Sequence, residues 1–263
     1  ISKVAMFIYV LSAALSKKST LHINKEAFYQ LDFAMLKEIV IIGLPTFVRN
    51  GLLAFMFIAV NHIINQYAPG DPAIYISVFG VINRIITFLL LPGFGLVQGM
   101  IPIVGFNFGA KKYRRLSDVI KIGTRFLSVY FILSGVIMFF FAGPLFSVFT
   151  RENDATFIAL GVEAFQYIPL GFVIVSYQFT MSAVYQAMGY PVRAFFIALS
   201  RQLLIFIPVI FILTPYLGIL GIWVSFAIAD GLSGLISYMF YRYEMIQLKK
   251  YEVKSMETLI TIS

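Results

Sequence analysis

The chain has 263 residues, 60% of them hydrophobic and 12% charged, with no cysteine and a formal net charge of +8. Its mean hydropathy is +0.90 and its pI is near 9.6. Soluble chains carry about twice this share of charge, so a soluble globular core is excluded, and so are disulfides, thiol chemistry and thiolate metal sites.

The first apolar run, 4–15, is too short to cross a bilayer and leads into Lys17 and Lys18 without a small-residue cleavage site. It reads as the end of a transmembrane helix whose beginning lies outside the sequence, not as a signal peptide. Residues 16–38 form a polar cytoplasmic connector in which Phe28, Leu31, Phe33, Met35 and Leu36 alternate with Lys25, Glu26, Asp32, Lys37 and Glu38. That pattern predicts an interfacial amphipathic helix. Six apolar stretches follow at 39–66, 73–100, 123–149, 156–186, 193–214 and 217–241, each long enough for the ~20 residues that span hydrocarbon. The second continues as one apolar unit to Gly109, with a kink expected at Pro92. The tail, 242–263, reads as polar, cytoplasmic and loosely ordered.

Charge sets the orientation. Lys111, Lys112, Arg114, Arg115, Lys121 and Arg242 fall in alternate junctions, whereas the junctions near 67–72, 150–155 and 215–216 hold only Arg151, beside Glu152 and Asp154. Lys and Arg stay on the cytoplasmic side, so both ends of the six-helix block face inward. The basic residues flank spans, where lipid headgroups explain them, and they form no basic stripe with interleaved aromatics for nucleic acid.

Proline and glycine interrupt the spans at Gly43-Leu44-Pro45, Pro92-Gly93, Pro102, Pro169-Leu170-Gly171 and Pro208. Such breaks persist in hydrocarbon only where neighbouring groups satisfy the freed backbone, and several together point to bent helices around a wet cavity. Arg49, Arg84, Glu163, Arg201 and Asp230 lie 7–13 residues into their spans, or ~10–20 Å deep. Two readings stand for these charges: a cavity or gate, and inter-helix ion pairing that holds the bundle. Arg84 and Asp230 are expected to share the interior.

Small and polar residues recur at helical spacing: Thr46, Asn50, Ala54, Asn61 and Asn65 on the first span; Ser77, Gly80, Arg84 and Thr87 on the second. The fourth carries Tyr167, Gly171, Gln178, Ser182 and Tyr185, with Met181 adjacent, and the sixth Asp230, Ser233 and Ser237. One such stripe suits close helix packing; four in one bundle favour a polar lumen. The candidate cavity or gating residues are Asn50, Asn61, Arg84, Glu163, Gln178, Met181, Tyr185, Arg201 and Asp230. No catalytic set assembles. His22 and His62 stand alone, no G-x-S-x-G turn is present, and no phosphate-binding Gly-Lys-Ser/Thr follows the glycines.

The run from Gly95 to Ala110, with Pro102-Ile103-Val104-Gly105 and Asn107-Phe108-Gly109-Ala110 before a basic loop, resembles the end of the eighth helix of multidrug and toxic compound extrusion (MATE) transporters. Gly43-Leu44-Pro45 is similar to the start of their seventh helix and Ser200-Arg201-Gln202 to a motif in the eleventh. The resemblance covers 1–241. It implies an all-α polytopic membrane protein, with 39–241 as the six-helix C-terminal lobe of a pseudo-symmetric twelve-helix transporter and 1–15 as the end of helix six. The implied activity is secondary export of organic cations and drugs against sodium ions or protons, across the cytoplasmic membrane of a bacterium. The implied partners are an N-terminal lobe, the bilayer and small amphipathic cationic drugs. No enzyme activity, metal or cofactor is implied beyond the coupling ion, which would bind mainly in the other lobe. The stretch from Gly43 to Gln66 lacks the carboxylate that one branch of the family carries in its seventh helix. A flippase of lipid-linked saccharides, from the same superfamily, is the alternative.

Overall fold

Hydrocarbon leaves no water for open backbone groups, so a chain this apolar must satisfy them within helices or a closed barrel. The computed structural model takes the helical solution: no strand occurs among the described residues. These are 54–150 and 154–262, with Gly51, Leu52 and, nearer the start, Val4, Met6, Phe7, Tyr9, Ser12 and Phe33; side chains are described as far as Val253. The chain divides into two units, Ile1–Val48 and Arg49–Ser263. In the first, the described residues are helical, and the Ser12 hydroxyl donates to the Tyr9 carbonyl at 2.8 Å. The connector 16–38 (Phe33 apart), the Gly43-Leu44-Pro45 motif, Thr46, Arg49, Asn50 and 151–153 lie outside the described residues.

In the second unit, α1 covers 54–67. A short turn with Gly70 at φ 91° leads into α2, Pro72–Gly109. Asp71 caps α2 by accepting from the Ala73 N–H at 2.9 Å, and Pro72 occupies the first turn, where its missing N–H costs nothing. Lys111, at φ 56°, turns the chain into α3, Tyr113–Phe140. Then come the short α4, Ala142–Ser147, and α5, Ala155–Tyr167, capped by Asp154. A 3₁₀ turn, Ile168–Gly171, joins α5 to α6, Phe172–Ala187. Next, α7 (Pro191–Leu199) passes through a π segment, Ser200–Phe206, into α8, Ile207–Leu217. Gly218, at φ 58°, makes the last turn, and α9 runs from Ile219 to Ile262. Among the described residues, five helical stretches are long and apolar enough to cross a membrane: Pro72–Gly109, Tyr113–Phe140, Ala155–Ala187, Pro191–Leu217 and Ile219–Val253. Of the first expected span, 39–66, the described residues hold α1.

Two boundaries differ from the sequence expectation. The basic junction 110–122 is a tight turn followed by the opening turns of α3, because Leu116 and Ile120 on that stretch are buried. The tail is helical, not loosely ordered. Past Tyr241, the buried face of α9 continues through Glu244 and Leu248, while Met245 accepts from the Ser117 hydroxyl at 3.6 Å and Tyr251 lies 5.4 Å from the Tyr113 ring. Contacts with α3 thus extend the helix where polarity alone suggested none.

The prolines divide into two kinds. Helix α2 runs unbroken through Pro92 and Pro102. Near Pro92 the Tyr130 hydroxyl of α3 donates to the Leu89 carbonyl at 2.7 Å, one of the neighbouring donors that make an intramembrane proline tolerable. Pro169 and Pro208 coincide with real changes of helix type. Their rings clash with the carbonyl four residues back. The chain answers by tightening at Ile168–Gly171, where the Phe172 N–H bonds Pro169 O, and by widening at Ser200–Phe206, where the Ile207 N–H bonds Gln202 O.

Three apolar clusters fill the unit. The largest gathers Ile63, Phe79, Phe165, Phe206, Trp223 and Phe226 from α1, α2, α5, the π segment and α9. A second surrounds Phe131, and a third, at the end holding the α2–α3 turn, packs Met181, Val184 and Tyr185 against Leu116 and Ile120.

Candidate functional site

Both breaks converge on one carboxylate. Asp230, midway along the membrane part of α9, is fully buried. Arg201, the second residue of the π segment, approaches it as a fork: Nε donates to Oδ1 and Nη2 to Oδ2, the latter at 3.3 Å. A π turn carries one more residue than an α turn and often marks a functional position. On the other side stands Gly171, at the end of the 3₁₀ turn. A Cβ there would collide with the Asp230 side chain and come within 3.0 Å of the Ala227 carbonyl, so only glycine lets the turn approach so closely. Arg201 retains 23% side-chain exposure against 1% for Asp230. The pair therefore has an open side and a closed side.

Arg84 is not Asp230's partner, contrary to the sequence expectation: it lies on the opposite kind of surface. Ser77, Gly80, Arg84, Thr87, Leu91, Gly95 and Gln98 of α2 are all exposed, and their spacing sets them on one helix face. Beside this face, between α1 and α2, is an open cavity of about 510 Å³ lined by Phe57, Asn83, Arg84, Thr87 and Phe88. Arg84 has no hydrogen bond or ion pair among the described residues.

The remaining candidates separate. Asn61 is half-buried on α1 and accepts from the Asn65 amide through its carbonyl at 3.0 Å. Glu163 is half-buried on α5, with no partner among the described residues. Gln178, Met181 and Tyr185 were expected to wall a lumen; they are buried inside the unit instead. Gln178 donates to the Ile197 carbonyl at 3.4 Å, and Met181 and Tyr185 belong to an apolar cluster. Ser233 and Ser237, also buried, bond back to their own helix at 3.2 and 2.8 Å. There α9 passes so close to α6 that a Cβ on Gly234 would meet the Ile174 carbonyl at 2.9 Å. The stripes on α6 and α9 are thus packing surfaces, whereas that on α2 is exposed.

One cluster escaped the sequence reading. Glu244 is buried within electrostatic reach of Tyr185 and Arg193, and the Arg193 guanidinium lies 5.5 Å from the Tyr185 ring and 5.0 Å from Tyr190. It joins α6, α7 and α9 at their ends near the α2–α3 turn. The signal was present: Glu244 continues the Asp230, Ser233, Ser237 stripe at helical spacing, but it fell in a segment taken for a tail.

A family model described as MatE matches residues 45–212. The Bacillus subtilis protein named "Probable multidrug resistance protein YoeA" is 25% identical over 253 residues, 92% of this chain and 52% of that protein. The multidrug export protein MepA of Staphylococcus aureus is 29% identical over 205 residues, 78% of this chain and 44% of its own length. An inward-facing multidrug resistance MATE transporter of the MOP superfamily superposes with a TM-score of 0.81 at 18% identity, covering 95% of this chain and 57% of that one. The chain spans about half the length of the curated relatives it matches.

Proposed function

The chain belongs to the MATE family of multi-pass membrane proteins, and from that premise we propose that residues 39–241 form the C-terminal lobe of a secondary drug exporter. The transporter works in the cytoplasmic membrane of a bacterium, and a second six-helix lobe faces this one across the substrate path. The observation that carries the reading is the exposed polar face of α2. Ser77, Arg84, Thr87 and Gln98 on one face of a 38-residue helix are unsuited to lipid, since charges at that depth face a partner or a watery path. A facing lobe supplies both. The flat apolar walls beside it suit amphipathic aromatic drugs. Relatives named for multidrug export and resistance favour this over the saccharide flippase.

Mechanistically, this lobe acts as a rigid half. Three apolar clusters and the Arg201–Asp230 fork tie its helices together, so alternating access proceeds by rocking of one lobe against the other. The fork crosses from the π segment to α9 and keeps the two helix breaks in register. Energy comes from a sodium or proton gradient.

Dye efflux from a drug-sensitive bacterial strain expressing the transporter tests the proposal. Export of an amphipathic fluorescent dye should stop when the sodium or the proton gradient is collapsed by an ionophore. Efflux that survives collapse of both gradients, or no efflux at all, would refute it.

A further inference from the structure

Two arginines meet a group of tyrosines where α3, α6 and α9 come together toward the basic end of the unit. Arg125 stands two residues into the apolar stretch 123–149, and Arg242 directly follows the stretch 217–241, so both lie where hydrocarbon gives way to headgroups. The Tyr177 ring of α6 is 5.1 Å from Tyr238 and 5.2 Å from Tyr241 of α9, between ring centroids. The Arg242 guanidinium donates to the Tyr238 hydroxyl at 3.3 Å, and Tyr241 is within electrostatic reach of both arginines. Both arginines are exposed, and neither has a carboxylate partner among the described residues. The acidic groups nearest in sequence are engaged elsewhere: Asp118 lies 3.9 Å from Lys121, and Glu244 is buried beside Tyr185 and Arg193.

We infer that this junction is a binding site for an anionic phospholipid, with the phosphate held between Arg125 and Arg242 and the headgroup hydroxyls beside the tyrosines. Guanidinium forks match phosphate oxygens, tyrosines favour the headgroup level, and basic pockets between transmembrane helices hold anionic headgroups. The flanks suit the rest of such a lipid. Ile122, Phe126 and Val129 of α3 and Leu235 and Met239 of α9 are exposed apolar side chains, where acyl chains would lie. The walls are fixed before the lipid arrives, because Arg125 falls between two ties along α3. The Ser128 and Ser176 hydroxyls, 2.8 Å apart, join α3 to α6, and Ser117 donating to Met245 joins α3 to α9. A general attraction of basic loops to the bilayer surface needs none of this. Such a site depends on the chain's place in the membrane, not on what the transporter exports.

The test is native mass spectrometry of the purified, delipidated transporter titrated with phosphatidylglycerol or with phosphatidylcholine. Wild type should retain phosphatidylglycerol in preference to phosphatidylcholine. Arg125→Gln and Arg242→Gln should each weaken phosphatidylglycerol binding about tenfold, the loss expected when a charge-assisted hydrogen bond disappears. The double variant Lys249→Gln/Lys250→Gln removes two exposed charges further along α9 and should leave binding unchanged. Equal retention of the two lipids by wild type, or undiminished binding in both arginine variants, would overturn the inference. An equal loss in the lysine variant would overturn it too, by assigning the binding to surface charge as a whole. Excess inorganic phosphate should not displace the lipid; displacement would make a soluble phosphate compound the occupant and overturn the lipid assignment.

Discussion

Removing both members of the Arg201–Asp230 fork should cost less than the two single removals added together. Arg201→Ala leaves a buried carboxylate with 1% side-chain exposure and no counter-charge. A loss near the upper end of ~3–5 kcal/mol is expected for a broken buried pair. Asp230→Ala strands a guanidinium that keeps 23% exposure, so it should cost less, ~2–3 kcal/mol after allowance for solvent screening. The double variant loses the attraction and both desolvation penalties together, and should cost ~1–3 kcal/mol less than the sum of the singles. The assay is a double-mutant cycle on the detergent-solubilised protein, read as the midpoint of denaturant unfolding followed by Trp223 fluorescence, the chain's one tryptophan, which is buried. Additive losses, or an Asp230→Ala cost exceeding that of Arg201→Ala, would refute the reasoning from burial.

Gly171→Ala should destabilise by ~1–3 kcal/mol, because the new methyl meets the Asp230 side chain and the Ala227 carbonyl; an unchanged unfolding midpoint would deny the close approach. Pro208→Ala restores an N–H that can rebuild ordinary helix through the π segment, and should shrink the coupling energy between Arg201 and Asp230 in a repeated cycle. Phe131→Ala empties the middle of its cluster, where the ring meets those of Phe172 and Phe179, and should cost ~3–5 kcal/mol by the same unfolding measurement. The absence of cysteine allows single-cysteine topology mapping. In intact cells an impermeant maleimide should label Asp71→Cys and spare Lys111→Cys, and the reverse pattern would invert the orientation.

Composition and pattern determined a great deal. A chain with so little charge must satisfy its backbone inside hydrocarbon, so the helical class, the approximate spans and the basic turn at Lys111 and Lys112 were legible without coordinates. So was the α2 stripe, because helical spacing alone groups Ser77, Gly80, Arg84 and Thr87. Tertiary structure alone decided which stripe faces outward and which charges meet. Periodicity places Asp230, Ser233 and Ser237 on one face as surely as it does the α2 residues, but it does not say what lies opposite. The first stripe packs on α6 and the second is open because neighbouring helices cover one and not the other. The choice of Arg201 over Arg84 as Asp230's partner has the same origin. The π segment before Pro208 sets where Arg201 reaches, and Gly171 lets the neighbouring turn close in on Asp230. The breaks themselves are local to Pro169 and Pro208, but that both face Asp230 depends on which helices pack together, which no local pattern encodes.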